Sequence, residues 1–158
     1  METFLNLNRE FKFKDMRLRF AFAVNSENRF EKMHFGDADR YLIYTEEAGE
    51  MIFSSEEINS FKLLDEEHEH GSKRKGNTII KFLKEKDVNV LVSTQFGKNI
   101  TLINEHFIPV KISMEQLDVI IDILKKHLHW MKDEWQNKSS GFNLFTIKSG
   151  ILKSPIDK

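Results

Sequence analysis

Cysteine is absent from all 158 residues of the chain. This removes a disulfide framework, a Cys-ligated zinc site, a Cys-held iron–sulfur cluster and a thiol nucleophile. Any metal or metal cluster must be held by His, carboxylate or backbone. Charge of one sign is also lacking: 24 Lys+Arg stand against 25 Asp+Glu, a formal net charge of −1. A general nucleic-acid binder carries a basic excess, so no nucleic-acid partner is expected. No stretch approaches the ~20 consecutive apolar residues that span a bilayer, so no membrane role is expected either. The apolar residues of Met1–Asp15 are interrupted by Asn6, Asn8, Arg9, Glu10 and Lys12, and no signal-peptide h-region forms. The missing cysteine and the missing signal together predict a cytoplasmic protein.

What is present is an ordinary globular composition, 40% hydrophobic and 31% charged, with 14 Phe and 6 His. The length suits one domain, since domains commonly run ~100–150 residues. Leu18–Val24 becomes continuously apolar, as a central strand does. Arg40–Thr45 and Glu50–Ser54 follow as strands around the turn Glu46-Glu47-Ala48-Gly49, giving an antiparallel meander of three. The pattern then changes. Asn77–Lys86 carries Ile79, Ile80 and Leu83 at helical spacing, Val88–Ser93 is a buried strand, and Lys98–Glu105 is a short helix. Phe107–Ile112 is a last strand, with Pro109 suggesting an edge. Ser113 and Gln116 read as a capping box opening the longest helix, whose stripe is Leu117, Ile120, Ile121, Leu124 and Leu128, continuing to Trp135. Phe11-Lys12-Phe13-Lys14 reads as a short edge strand. The expectation is an α/β fold with a mixed five-stranded sheet, three antiparallel strands plus two parallel ones, and about three helices.

Strand direction alone brings three connections to one edge of that sheet. They are the segment with His34-Phe35-Gly36, the loop Asp65–Gly76 with His68 and His70, and the turn Thr94–Asn99 with Gly97-Lys98. In open α/β sheets ligands bind beyond the carboxyl ends of the strands. His34, His68 and His70 supply imidazoles for iron, zinc, nickel or copper, although a spacing of two is no specific ligand motif, and a solvated acidic loop reads the same residues as well. Lys73, Arg74 and Lys75 stand just before a helix N-terminus, where cations are unfavourable. Either a bound anion relieves that conflict, or Glu66, Glu67 and Glu69 pair with them. Gly97-Lys98 reads as an anion-holding turn or as a tight strand-to-helix connection, and no Walker or dinucleotide fingerprint accompanies it. His106, His127 and His129 read as structural, and Trp130 and Trp135 as core or subunit-contact residues.

The region from about Leu18 to Leu128 resembles the dinitrogenase iron-molybdenum cofactor biosynthesis family, the nitrogenase accessory factor-like domains. The likeness rests on Ala21-Phe22-Ala23-Val24 ending the first strand, His34-Phe35-Gly36 followed by Tyr41-Leu42-Ile43-Tyr44, and the loop His68–Gly71. It rests further on the helix with Ile79–Leu83 and on Val88–Ser93 followed by Gly97-Lys98-Asn99. The resemblance implies a ribonuclease H-like motif and a small domain that binds or carries iron-molybdenum cofactor or an iron–sulfur cluster precursor. It implies His34, with His68 and His70, as metal or cluster ligands. Lys73, Arg74, Lys75, Gly97 and Lys98 would contact the anion, and Phe35 and Gly36 would shape the loop. It places the domain at 16–130, with extensions at 1–15 and 131–158, and the apolar Phe142, Leu144, Phe145 and Ile147 predict that the second packs on the domain or a partner subunit.

A ribonuclease H-like shape raises nuclease activity, which needs acidic residues on the central strands. Leu18–Val24 and Val88–Ser93 have none. No catalytic triad, paired carboxylate or phosphate loop stands out, since Asp118 and Asp122 alternate with an apolar stripe. A non-enzymatic cluster carrier is therefore expected, with a cluster donor or acceptor protein as partner. The alternative is an interaction or regulatory protein of the same fold that binds no metal or cofactor and dimerises through its terminal extensions.

Overall fold

Phe20, Phe22 and Val24 alternate with Ala21 and Ala23 along the first strand, and both sets are buried. A strand sealed on both faces belongs inside a sheet with helices on each side. The computed structural model of the chain has that architecture. It describes residues 16–64, 71–148 and 150–156, with backbone alone at Gly71 and Ser72. The strands are β1 (Arg19–Val24), β2 (Arg40–Glu47), β3 (Glu50–Ile58), β4 (Val90–Ser93), β5 (Ile108–Ile112), β6 (Leu144–Ile147) and β7 (Ile151–Ser154). They form one sheet in the order β3-β2-β1-β4-β5-β6-β7. β1, β2 and β3 are antiparallel, β4, β5 and β6 run parallel to β1, and β7 turns back. The helices are α1 (Gly71–Glu85), α2 (Ile100–Ile103), α3 (Leu117–Lys126) and α4 (Leu128–Asn137).

The two faces of β1 belong to different cores. Phe20, Phe22 and Val24 pack with Val90, Val92, Val110 and the stripe Ile120, Leu124, Leu128 and Met131 of α3 and α4. Ala21 and Ala23 face Leu91 and the α1 stripe Ile79, Ile80 and Leu83. Alanine at these two positions leaves room for α1. None of the described helices is long and apolar enough to cross a membrane.

The fold is α/β with a mixed sheet, but the described residues form seven strands and four helices rather than five and about three. β6 and β7 account for the difference. At four residues each they are too short to show alternation, yet β6 continues the sheet beyond β5 and buries Phe145 and Ile147. Pro109 is consequently not at an edge. Successive N–H groups of a strand alternate sides, and Ile108 N–H donates to Asn89 O on the β4 side at 2.9 Å. The missing N–H of Pro109 therefore faces β6, whose ladder begins one residue later at Val110. The capping box is not formed: α3 starts at Leu117, and its cap, Gln116, makes no side-chain cap hydrogen bond. The long helix breaks at His127 (φ −126°, ψ 20°) into α3 and α4. β3 reaches Ile58 because a bulge at Ser54 absorbs a register shift against Ile43 and Tyr44. The Phe11–Lys14 strand and the 1–15 extension lie outside the described residues.

Candidate functional site

From β1 the chain turns to β2 on one side, and from β4 it proceeds to β5 on the other. The carboxyl ends of β1 and β4 thus flank a topological switch point, where a crevice opens. His34 is extended (φ −69°, ψ 152°) and pairs with Gln95 in a short parallel bridge, prolonging the β1–β4 ladder past its strands. Phe35 N–H donates to Gln95 O at 2.9 Å. The Thr94 hydroxyl donates to Glu31 O (2.7 Å) and accepts from Met33 N–H (3.2 Å), tying the same two segments together.

After His34 the chain makes one turn of 3-10 helix, Phe35–Asp37. Buried groups take its carbonyls. Tyr41 donates its phenol to Phe35 O at 2.7 Å, and Asn59 Nδ2 donates to Gly36 O (3.0 Å) and Ala38 O (2.8 Å). Burial pushes the Tyr41 phenol far above its ordinary pKa, so it stays a donor. Asp37 N–H donates to His34 O at 2.9 Å, closing the turn onto the extended residue before it.

The second wall is the turn Gly97–Asn99. Gly97 has φ +64°, and a Cβ there would lie 2.8 Å from His34 Cε1. Glycine is required twice over: for the left-handed backbone and for the imidazole resting on it. The buried rings of Phe35 and Phe96, with centroids 6.3 Å apart, tie the two turns together. The third wall is the start of α1. A Cβ on its Gly76 would come within 2.9 Å of Asn99 Nδ2, so the helix sits directly against the turn. Lys75 is 8% exposed, and its ammonium lies 2.6 Å from Asp37 Oδ1.

These walls enclose a half-open cleft of about 300 Å³ lined by His34, Phe35, Gly36, Asp37, Lys75 and Lys98, among others. Gly97 reaches it through its contact with His34. Lys73 and Arg74 are exposed and not part of the lining. Contrary to expectation, the basic triplet lies inside α1 rather than before it. The start was hidden because Gly71–Gly76 carries no apolar residue to mark a helical stripe. A Cβ on Gly36 would meet only ordinary contacts, at 3.5 Å from Lys75 Cε and 3.6 Å from Ile79 Cδ1. The shape of that turn thus comes from Tyr41 and Asn59 rather than from glycine itself. His68 and His70 lie outside the described residues. Among the described residues no group of three His, Asp or Glu side chains is placed to hold a metal ion.

Sequence reasoning missed Asp37, Tyr41 and Asn59. Asp37 carries a faint signal, since it directly follows His34-Phe35-Gly36. Tyr41 and Asn59 have none, because their roles depend on a distant carbonyl. His106, His127 and His129 stand apart from the cleft: His106 beside Lys84, and the other two around the Trp130 ring.

Residues 16–127, well over half of the chain, match the model of a family described as dinitrogenase iron-molybdenum cofactor. No curated protein matches the chain.

Proposed function

The chain belongs to the dinitrogenase iron-molybdenum cofactor family, and from that premise we propose that it is a non-enzymatic module that binds or carries an iron-molybdenum-type or related metal cluster. The observation that carries this reading is the convergence of one imidazole and two lysines, His34, Lys75 and Lys98, on a single cleft beyond the carboxyl ends of β1 and β4. That donor set suits an anion more than a bare cation. Lysine is a point charge that attracts an anion without coordinating a metal, and a single imidazole is too little to chelate an ion alone. A preassembled anionic cluster supplies its own bridging ligands and needs only such a seat. His68 and His70 remain candidate co-ligands, and Lys73, Arg74 and Gly97 candidate contacts. The order β3-β2-β1-β4-β5 fits a ribonuclease H-like motif extended by two strands. A cytoplasmic setting and a cluster donor or acceptor protein complete the reading.

The test is elemental analysis of protein purified without oxygen, followed by anaerobic loading with iron, molybdate and sulfide under absorption spectroscopy. Expected are bound iron or molybdenum and a charge-transfer band, both reduced at least about tenfold in His34→Ala, as for removal of a metal-site residue. Loading that is unchanged in His34→Ala removes this residue as a ligand.

A second reading, an interaction or regulatory protein that binds no metal, is favoured by one observation. The edge strand β3 exposes Ile52 (45%), Phe53 (52%) and Ile58 (72%), and an open strand edge with apolar side chains in water is suited to a protein partner. A chain that stays metal-free in the loading experiment but gains mass with concentration supports it.

A further inference from the structure

Lys75 is the one cleft lysine that is buried. Its side chain is 10% exposed, against 49% for its partner Asp37. An ammonium withdrawn from water is costly unless an anion stands beside it. Here the protein supplies that anion itself, at 2.6 Å. The two members of the pair are not equally free to move. The Lys75 stem lies 3.5 Å from where a Cβ on Gly36 would stand, with Ile79 at 3.6 Å from the same point, and its backbone lies inside α1. Asp37 is the last residue of a three-residue turn and is half open to water. An anion entering the cleft therefore meets a fixed ammonium and a carboxylate that has somewhere else to go.

We propose that Asp37 is a built-in competitor for the anion site of this cleft. Its carboxylate holds the charge of Lys75 while the cleft is empty. A small inorganic dianion of the molybdate type displaces it, taking over Lys75 at the floor with Lys98 at the rim. No bond is made or broken; one ion pair is exchanged for another. Counting Lys75, Lys98 and Asp37 alone, the empty cleft carries +2 − 1 = +1. The competitor thus lowers the affinity of a site that would otherwise hold its anion tightly. The inference deepens the cluster-carrying reading and rests on it for the identity of the cargo. The exchange itself concerns any dianion of this size.

The full chain, labelled with 15N and 13C, is titrated with sodium molybdate at constant ionic strength, as wild type, Asp37→Asn and Lys75→Gln. Asp37→Asn should bind molybdate at least about tenfold tighter, because a repelling charge is removed at contact distance. Lys75→Gln should lose the binding. Binding by Asp37→Asn that is equal to or weaker than wild type overturns the proposal. Should Asp37→Asn fail to fold, the wild-type protein decides. The Lys75 ammonium and Asp37 carboxyl resonances must shift together during the titration, and signals unmoved at saturation overturn it. The outcome is separable from that of the loading experiment. Tighter molybdate binding by Asp37→Asn stands even if no iron–molybdenum cluster is ever found. Cluster binding with no effect of Asp37 defeats only the competitor.

Discussion

Two glycines of the cleft wall look equivalent in sequence and differ physically. Gly97 combines a left-handed backbone with an imidazole 2.8 Å from where a Cβ would stand. Gly36 has neither constraint, only ordinary contacts at 3.5 Å and beyond. Gly97→Ala should therefore cost about 1–3 kcal/mol of stability, the usual range for a side chain forced into that backbone region, and should also turn the His34 ring out of place. Gly36→Ala should be neutral or stabilising by up to about 1 kcal/mol, as at a buried position whose backbone alanine can adopt and whose added methyl meets only ordinary contacts. Urea unfolding measures both, and the His34 ring resonances report the displacement. Equal costs for the two variants would contradict the geometry. At this scale much of the site was readable from sequence. Strand direction put His34 and Gly97-Lys98 at one edge without any coordinates. Tyr41 and Asn59 were not readable, because a side chain that serves a backbone carbonyl across the fold leaves no local pattern.

Between elements, the end of α1 meets the connection from α2 to β5 at Lys84 and His106, whose Nζ and Nδ1 lie 3.3 Å apart. Burial first, and the Lys84 charge second, hold the His106 pKa below the ordinary 6.5. The unfolded chain therefore takes up this proton before the folded one does. The stability contributed by neutral His106 is fully present above the unfolded pKa and is lost as pH falls through the folded value. His106→Gln should remove that part of the acid-side loss, and Lys84→Met should shrink it, because the folded pKa moves back toward the unfolded one. Unfolding free energies between about pH 7.5 and about pH 5 check both, since His titrates in that range. How well elements show in sequence follows their burial. β1, β4 and the stripes of α1 and α3 announce themselves because one face or both are sealed. Most residues of β3 are exposed, so its last four carry no apolar alternation and the sequence shows only Glu50–Ser54 as strand. Ser113 and Gln116 have the spacing of a capping box without helical backbone between them, so α3 begins later than that spacing predicts.

For the whole molecule, the family match ends at residue 127 and the core does not. Leu128, Met131, Phe142, Phe145 and Ile147 all belong to the cluster that seals one face of β1. Burying each contributes about 1.5–3 kcal/mol, together on the order of 10 kcal/mol, within the ~5–15 kcal/mol that a typical domain has in total. A fragment ending at residue 127 should therefore show no cooperative thermal transition by circular dichroism, whereas the full chain should. A native-like transition in the fragment would mean that β6 and α4 are dispensable. Phe142, Leu144, Phe145 and Ile147 make the tail apolar enough to predict packing on its own domain or a partner subunit, but the linker-like opening Lys138-Ser139-Ser140-Gly141 hides that it adds strands to the same sheet. Phe145 becomes core because β6 pairs with β5, and Phe142 by stacking on the Trp135 ring of α4. One consequence of this shared sheet reaches back to the cleft. The backbone of His34 is bridged to Gln95, so a residue in a connection is held as if it were in a strand. Fixing one residue costs about 1–2 kcal/mol of conformational entropy, and at His34 that ordering is completed during folding. A visitor to the cleft therefore meets an imidazole that needs no arranging on arrival and no unravelling on departure. Exchange there is governed by the contacts made and broken, with little toll from reordering the chain.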